Sequence, residues 1–154
     1  MTPKTLTQRD REHLISIFLL NGHENPVGPS KLAKKMDMSR AGALQKMKRL
    51  ERCGVGDYIS KKGLKLNSHG IEIIEDEIVK HHVVENFFQE SLGMDFEEAC
   101  EEAEKLGFEM RGKIIDLINR HYGDEIESEC GLDLEPPFEP EDVRECPWCK
   151  RLFE

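Results

Sequence analysis

Along the first seventy positions, apolar residues recur in short blocks spaced for helices. Between Leu6 and Leu20 they fall at 14, 15, 17, 18 and 20, with charges at 9 to 12, so an amphipathic helix is expected there. The turn-rich NGHENPVGPS stops it. Ser30 is then placed to N-cap a short helix, KLAKKM, and after a turn at 36–38 Ser39 caps a third, RAGALQKMKRLERCG, ended by Gly54. Two short apolar pieces, DYIS and LKLN, joined by Lys61-Lys62-Gly63, predict a hairpin with a basic tip.

Past Ser68 the pattern lengthens. HGIEIIEDEIVKHHVVENFFQESLG places apolar residues at 71, 73, 74, 78, 79, 83, 84, 87 and 88, which predicts a long helix ended by Gly93. Asp95 caps a helix over Phe96 to Leu106, and a further one, roughly Phe108 to His121, carries Met110, Ile114, Ile115, Leu117 and Ile118. Three amphipathic helices have too few partners within one chain to bury every apolar stripe, so a homodimer is expected.

Helix, helix, turn, helix, hairpin is the order of a winged helix-turn-helix, whose third helix enters the DNA major groove. The predicted fold is therefore mainly α. A winged helix-turn-helix DNA-binding domain over 1–70 precedes a helical metal-binding and dimerisation domain over 71–123, and 124–154 forms an acidic tail with a CxxC motif.

Charge sharpens this division. The chain carries −9 overall, but residues 1–70 hold 14 Lys and Arg against 6 Asp and Glu, while the remainder holds 8 against 25. The basic half suits double-stranded DNA and the acidic half a different partner. Ser39, Arg40, Ala41 and Gln45 begin the third helix, where side chains reach base edges; Lys46, Lys48 and Arg49 lie where they can meet phosphates, and Lys61 and Lys62 add counterion release. A solvated basic face, or a winged helix serving as a protein-interaction adaptor, is the alternative.

No apolar run is long enough to span a bilayer, and MTPKTLTQRD lacks the layout of a signal peptide. A cytoplasmic protein without a membrane partner is expected, in which five cysteines serve as thiols or metal ligands. No nucleophile-base-orienter set or phosphate loop argues for an enzyme.

Metal chemistry enters through two helices. His81 and Glu85 are four apart on the long helix, as are Cys100 and Glu104 on the next, so each pair shares a helix face and together they offer four donors. Imidazole, carboxylate and thiolate favour Fe, Co, Ni or Zn over Mg or Ca. A surface His-Glu pair and a thiol among solvated carboxylates are the plainer readings of the same residues.

The segments MSRAGALQKMKRLERCG, KGLKLNSHG, VKHHVVENFF and LGMDFEEACEEAEKL, in this order and spacing, resemble the diphtheria toxin repressor family of iron- and manganese-dependent transcriptional regulators. The resemblance covers about residues 6 to 120 and leaves no room for the SH3-like domain of longer members. It implies repression at a palindromic operator by a dimer that metal binding orders. It also implies metal positions. Glu12 falls where the family has a helix-one ligand and Glu104 where it has Cys or Glu, but Gly107 and Phe108 stand at the usual Glu-His. His81 and Glu85 match the ancillary site, with Cys100 in place of His, a softer donor that leans toward Zn, Co or Fe rather than Mn.

In the tail, Cys146-x2-Cys149 has the spacing at which two thiolates chelate one metal, and Cys130 is a candidate third ligand. A redox dithiol, or cysteines without function, are the alternatives. The expectation is a homodimeric, metal-responsive winged-helix repressor with its site centred on His81, Glu85 and Cys100. A winged helix with a purely structural zinc, or an adaptor, is the rival.

Overall fold

The computed structural model describes residues 5–107, 110, 112–122, 135–144 and 146. It forms two compact units that divide between Ile74 and Glu75.

In the first unit, α1 (Gln8–Leu19), α2 (Pro29–Lys35) and α3 (Arg40–Arg52) lead into an antiparallel hairpin of β1 (Gly56–Ile59) and β2 (Gly63–Leu66). α1 starts where Thr7 and Asp10 form a reciprocal capping box, each side chain accepting from the other's backbone N–H. α1 buries Leu14, Ile15, Ile17, Phe18 and Leu19, α2 adds Leu32, and α3 adds Ala43, Met47 and Leu50. Each large side chain of this core contributes about 1.5–3 kcal/mol relative to exposure.

α3 begins as the sequence predicts. Ser39 Oγ accepts from the Gly42 backbone N–H at 3.0 Å. A Cβ at Gly42 would stand 3.0 Å from that same Ser39 Oγ, so the glycine within this helix makes room for the cap. α2 departs from expectation: Gly28, not Ser30, is its N-cap, and no side chain caps it. Pro29 explains the shift, because a proline favours the first helical turn, where its missing N–H costs nothing.

The hairpin tip is set by Lys61 at φ 64° and Gly63 at φ 123°. Gly63 also lies so close to the Val27 backbone that a Cβ there would overlap the Val27 carbonyl. This closeness serves an isolated bridge that the sequence pattern did not reveal, in which Val27 and Leu64 exchange both backbone hydrogen bonds, at 2.9 and 3.0 Å. The wing is thereby fastened to the chain just before α2.

α4 (Ser68–Leu92) runs for 25 residues from the foot of the hairpin into the second unit, and Gly93, at φ 66°, follows its end. α5 (Phe96–Gly107) opens with Asp95 Oδ1 accepting from the Glu98 N–H at 2.9 Å, the predicted cap. α6 (Gly112–Tyr122) begins later than expected, and Phe108 lies outside the described residues. Val84 and Phe88 of α4 pack on Ala99 and Ala103 of α5, with Phe87, Met94, Met110 and Ile115 around them. Cys100 follows Ala99 directly, so this packing places its thiol beside the His81–Glu85 face of α4. A short α7 (Pro140–Arg144), not anticipated from the sequence, buries Pro140 and Val143, and Phe138 before it is also buried. Among the described residues, no helix is long and apolar enough to cross a membrane.

Candidate metal centre and nucleic-acid interface

On α3 the candidate DNA-contacting residues divide by exposure. Ser39, Arg40, Ala41, Gln45 and Lys48 are exposed, as are Lys61 and Lys62 at the hairpin tip. Arg40 Nε donates to Ser30 Oγ at 3.2 Å, which steadies the guanidinium at the helix start. Lys48 lies 4.0 Å from the centroid of the Tyr58 ring and 3.8 Å from Glu51, so hairpin and helix share a cation-π contact on this face.

Lys46 and Arg49 are half-buried and face inward. Lys46 Nζ meets Asp10 Oδ1 at 3.0 Å, while Arg49 donates from Nε and from Nη2, the latter 2.8 Å from Asp10 Oδ2. Asp10 is fully buried. Burial alone would raise its carboxyl, but the hydrogen bonds from Arg49, Thr7 and Lys46 outweigh burial and hold it well below the usual carboxylate range. One carboxylate thus ends the capping box of α1 and docks α3. Sequence reading passed over it, although Thr-x-x-Asp before an apolar run is a capping signal.

Beside it, His13 is buried and its Nδ1–H donates to the Arg9 carbonyl. Burial lowers its pKa, the carbonyl contact opposes this, and nearby Lys46 lowers it further, so the ring is held neutral.

In the second unit, the structure brings together His81, Glu85 and Cys100. One donor atom from each lies within 4.8 Å of the others, and all three residues are buried. His81 Nε2 is 3.4 Å from Glu85 Oε2 and 3.5 Å from Cys100 Sγ. The helical repeat sets the first pair on one face of α4; the packing of Ala99 and Ala103 of α5 on Val84 and Phe88 places the thiol beside it. A tetrahedral site with ligand bonds of about 2.0–2.3 Å has donor-donor edges of about 3.3–3.8 Å, so the two measured separations fit a zinc-like cation.

The other sequence candidates lie elsewhere. Glu104 is partly buried on α5 and is not part of the three-donor group. Glu12 belongs to the first unit, where its carboxylate accepts from Gln8 Nε2 at 3.5 Å. Cys130 and Cys149 are outside the described residues. Cys146 is buried, but its sulfur faces His82 rather than the three-donor group, with Sγ 3.4 Å from His82 Nε2. His82 was missed, since its neighbour His81 already matched the helical spacing. Cys53 is a buried core thiol.

Comparison with known proteins bears on the family and the fold. Residues 67–131 match the family described as iron dependent repressor, metal binding and dimerisation domain. Over 114 residues the chain is 30% identical to an uncharacterized HTH-type transcriptional regulator of Methanocaldococcus jannaschii, covering 73% of this chain and 91% of that protein. Among solved structures, a hypothetical protein from Sulfolobus solfataricus aligns with a TM-score of 0.76 at 21% identity, covering 85% of this chain and 100% of that one. ScaR with bound Zn2+ aligns with a TM-score of 0.71 at 22% identity, over 82% of this chain and 59% of that one. The chain therefore spans about three fifths of ScaR's length, and these structural likenesses establish the fold.

Proposed function

The chain belongs to the iron-dependent repressor family of metal-dependent transcriptional regulators, and from that premise we propose that it is a homodimeric DNA-binding repressor governed by a cation held at His81, Glu85 and Cys100. The observation that carries this reading is the convergence of those three buried donors between α4 and α5. Thiolate, imidazole and carboxylate together select a borderline-soft transition metal, Fe, Co, Ni or Zn before Mn. Bound there, such a cation would supply a cross-link between two helices that also meet through the apolar cluster of Val84, Phe88, Ala99 and Ala103.

DNA is met by the winged helix. Ser39, Arg40, Ala41 and Gln45 address base edges, and Lys48, Lys61 and Lys62 address phosphates. Lys46 and Arg49 stand on the same helix but are engaged by Asp10, so their first task is to hold α3. Self-association uses α6, where Ile114 and Leu117 remain about half exposed, at 47% and 50%. A two-fold dimer presents two recognition helices to a palindromic operator. Metal favours the DNA-competent conformation, and DNA reciprocally tightens metal.

The test is to select an operator from random duplexes, then measure its affinity for metal-loaded and chelator-stripped protein. Metal is expected to tighten binding about 5- to 150-fold. Equal affinity in a folded stripped form would refute sensing, and unfolding on stripping would make the metal a structural staple instead.

A further inference from the structure

His81 and His82 are consecutive on α4, and each has its own buried cysteine: Cys100 of α5 for the first, Cys146 of the tail for the second. We propose that His82 and Cys146 form a second zinc-type site, distinct from the one at His81, in which the CxxC tail is bound to α4.

Three observations support it. The first is orientation. His82 Nδ1 lies 2.7 Å from the Ile78 carbonyl, and since a carbonyl only accepts, Nδ1 carries the proton and Nε2 presents its lone pair toward Cys146 Sγ. Metal-binding histidines almost always have this second contact, because it fixes the ring and its tautomer.

The second is placement. Cys146 is 1% exposed and His82 is 1% exposed, and their 3.4 Å separation is an edge of a tetrahedral N,S site. The cysteine is delivered by packing. Phe138, Pro140 and Val143 are buried, and the Cys146 backbone N–H donates to the Val143 carbonyl at 3.2 Å.

The third is sequence. Cys146 opens a CxxC motif, a spacing characteristic of thiolate metal ligands, and Cys149 itself lies outside the described residues. Sulfur and imidazole are both donors that suit zinc. On binding, each thiol gives up its proton to solvent as its sulfur becomes a ligand.

The rings of His81 and His82 meet edge to face with centroids 5.2 Å apart, so the two sites share one turn of α4 while using different sulfurs. The second site stands whether or not the first regulates DNA binding.

The full chain, reduced and stripped of metal, is titrated with Zn2+ and with Co2+ as a spectroscopic probe of thiolate ligation. The wild type is expected to take two equivalents per chain. C146S and H82Q should each take one, C100S should take one, and C100S/C146S none. Circular dichroism establishes that each variant is folded. Should a variant fail to fold, alkylation of the wild type serves: Zn2+ is expected to slow modification of Cys146 and Cys149 at least tenfold, read by mass spectrometry. A single equivalent in the wild type that C100S abolishes, or C146S still taking two, overturns the proposal. So does an alkylation rate indifferent to Zn2+, or a Cys146–Cys149 disulfide in protein isolated without air.

Discussion

Arg49 of α3 and Asp10 of α1 are joined by a two-nitrogen ion pair whose carboxylate is fully buried, 39 residues apart in the chain. The pair fixes the recognition helix to the first helix, and Lys46 adds a further hydrogen bond from the same helix. Removing the carboxylate leaves Lys46 and Arg49 without their anion and the Thr7 N–H without its acceptor, while Thr7 still caps α1 through the Asp10 backbone N–H. D10A should therefore destabilise the winged-helix unit by about 1–3 kcal/mol, the range for losing hydrogen bonds to a charged group whose partners keep access to water. Urea unfolding followed by circular dichroism measures it. A loss under about 1 kcal/mol would mean that the pair is only a surface contact.

The same residues give a pH dependence whose sign is fixed. His13 is held below its ordinary value when folded, so below about pH 6.5 the unfolded chain binds a proton that the folded chain refuses, and stability falls. Asp10 is held well below the carboxylate range, so its stabilisation is full above about pH 4 and is lost as pH falls further. Both act in one direction. H13Q should flatten the limb that begins below about pH 6.5 while leaving the loss below about pH 4. Urea midpoints of wild type and variant across that range are the check, and parallel curves would remove His13 from the account.

On DNA, the exposed cations and the base-facing residues should separate by salt dependence. K61A/K62A removes two phosphate contacts and should lower the slope of log affinity against log salt by about 1.8, uniformly across sequences. Q45A should instead cost about 1–3 kcal/mol for the selected operator and little for random DNA. Fluorescence anisotropy at several salt concentrations measures both. Identical salt slopes for the hairpin double variant and wild type would take the wing away from the backbone.

Much of this was legible in the chain itself, because helices with strong caps and long apolar periods announce their ends. Ser39, Asp95 and Gly93 mark boundaries that the structure keeps. Ser30 misled because Pro29 is itself a helix-starting residue, so the cap moved back to Gly28. α7 has five residues, too few for a period to show. In the metal centre, His81 and Glu85 follow from spacing alone. Cys100 needed the neighbouring helix, and His82–Cys146 is a contact across 64 residues that no local pattern encodes. The docking role of Asp10 is of the same kind, since Lys46 and Arg49 lie in the middle and the C-terminal half of another helix, although its capping role is visible in Thr-x-x-Asp.

At the metal centre, C100S should have an effect that depends on sulfur. Serine preserves the volume at a buried position but offers no thiolate, so the affinity for Zn2+ or Co2+ at this centre should fall at least about tenfold while the α4–α5 core stays folded. C100H tests the converse: it restores an imidazole at a position next to Ala99 and Ala103, where the larger ring must be accommodated. If the ring fits, metal preference should move from Zn2+ toward Mn2+, because the softest donor has been exchanged for a harder one. Competition titrations with Zn2+, Co2+ and Mn2+ read that order, together with operator affinity at each metal. A Mn2+ to Zn2+ ratio unchanged by both substitutions would show that Cys100 is not a ligand.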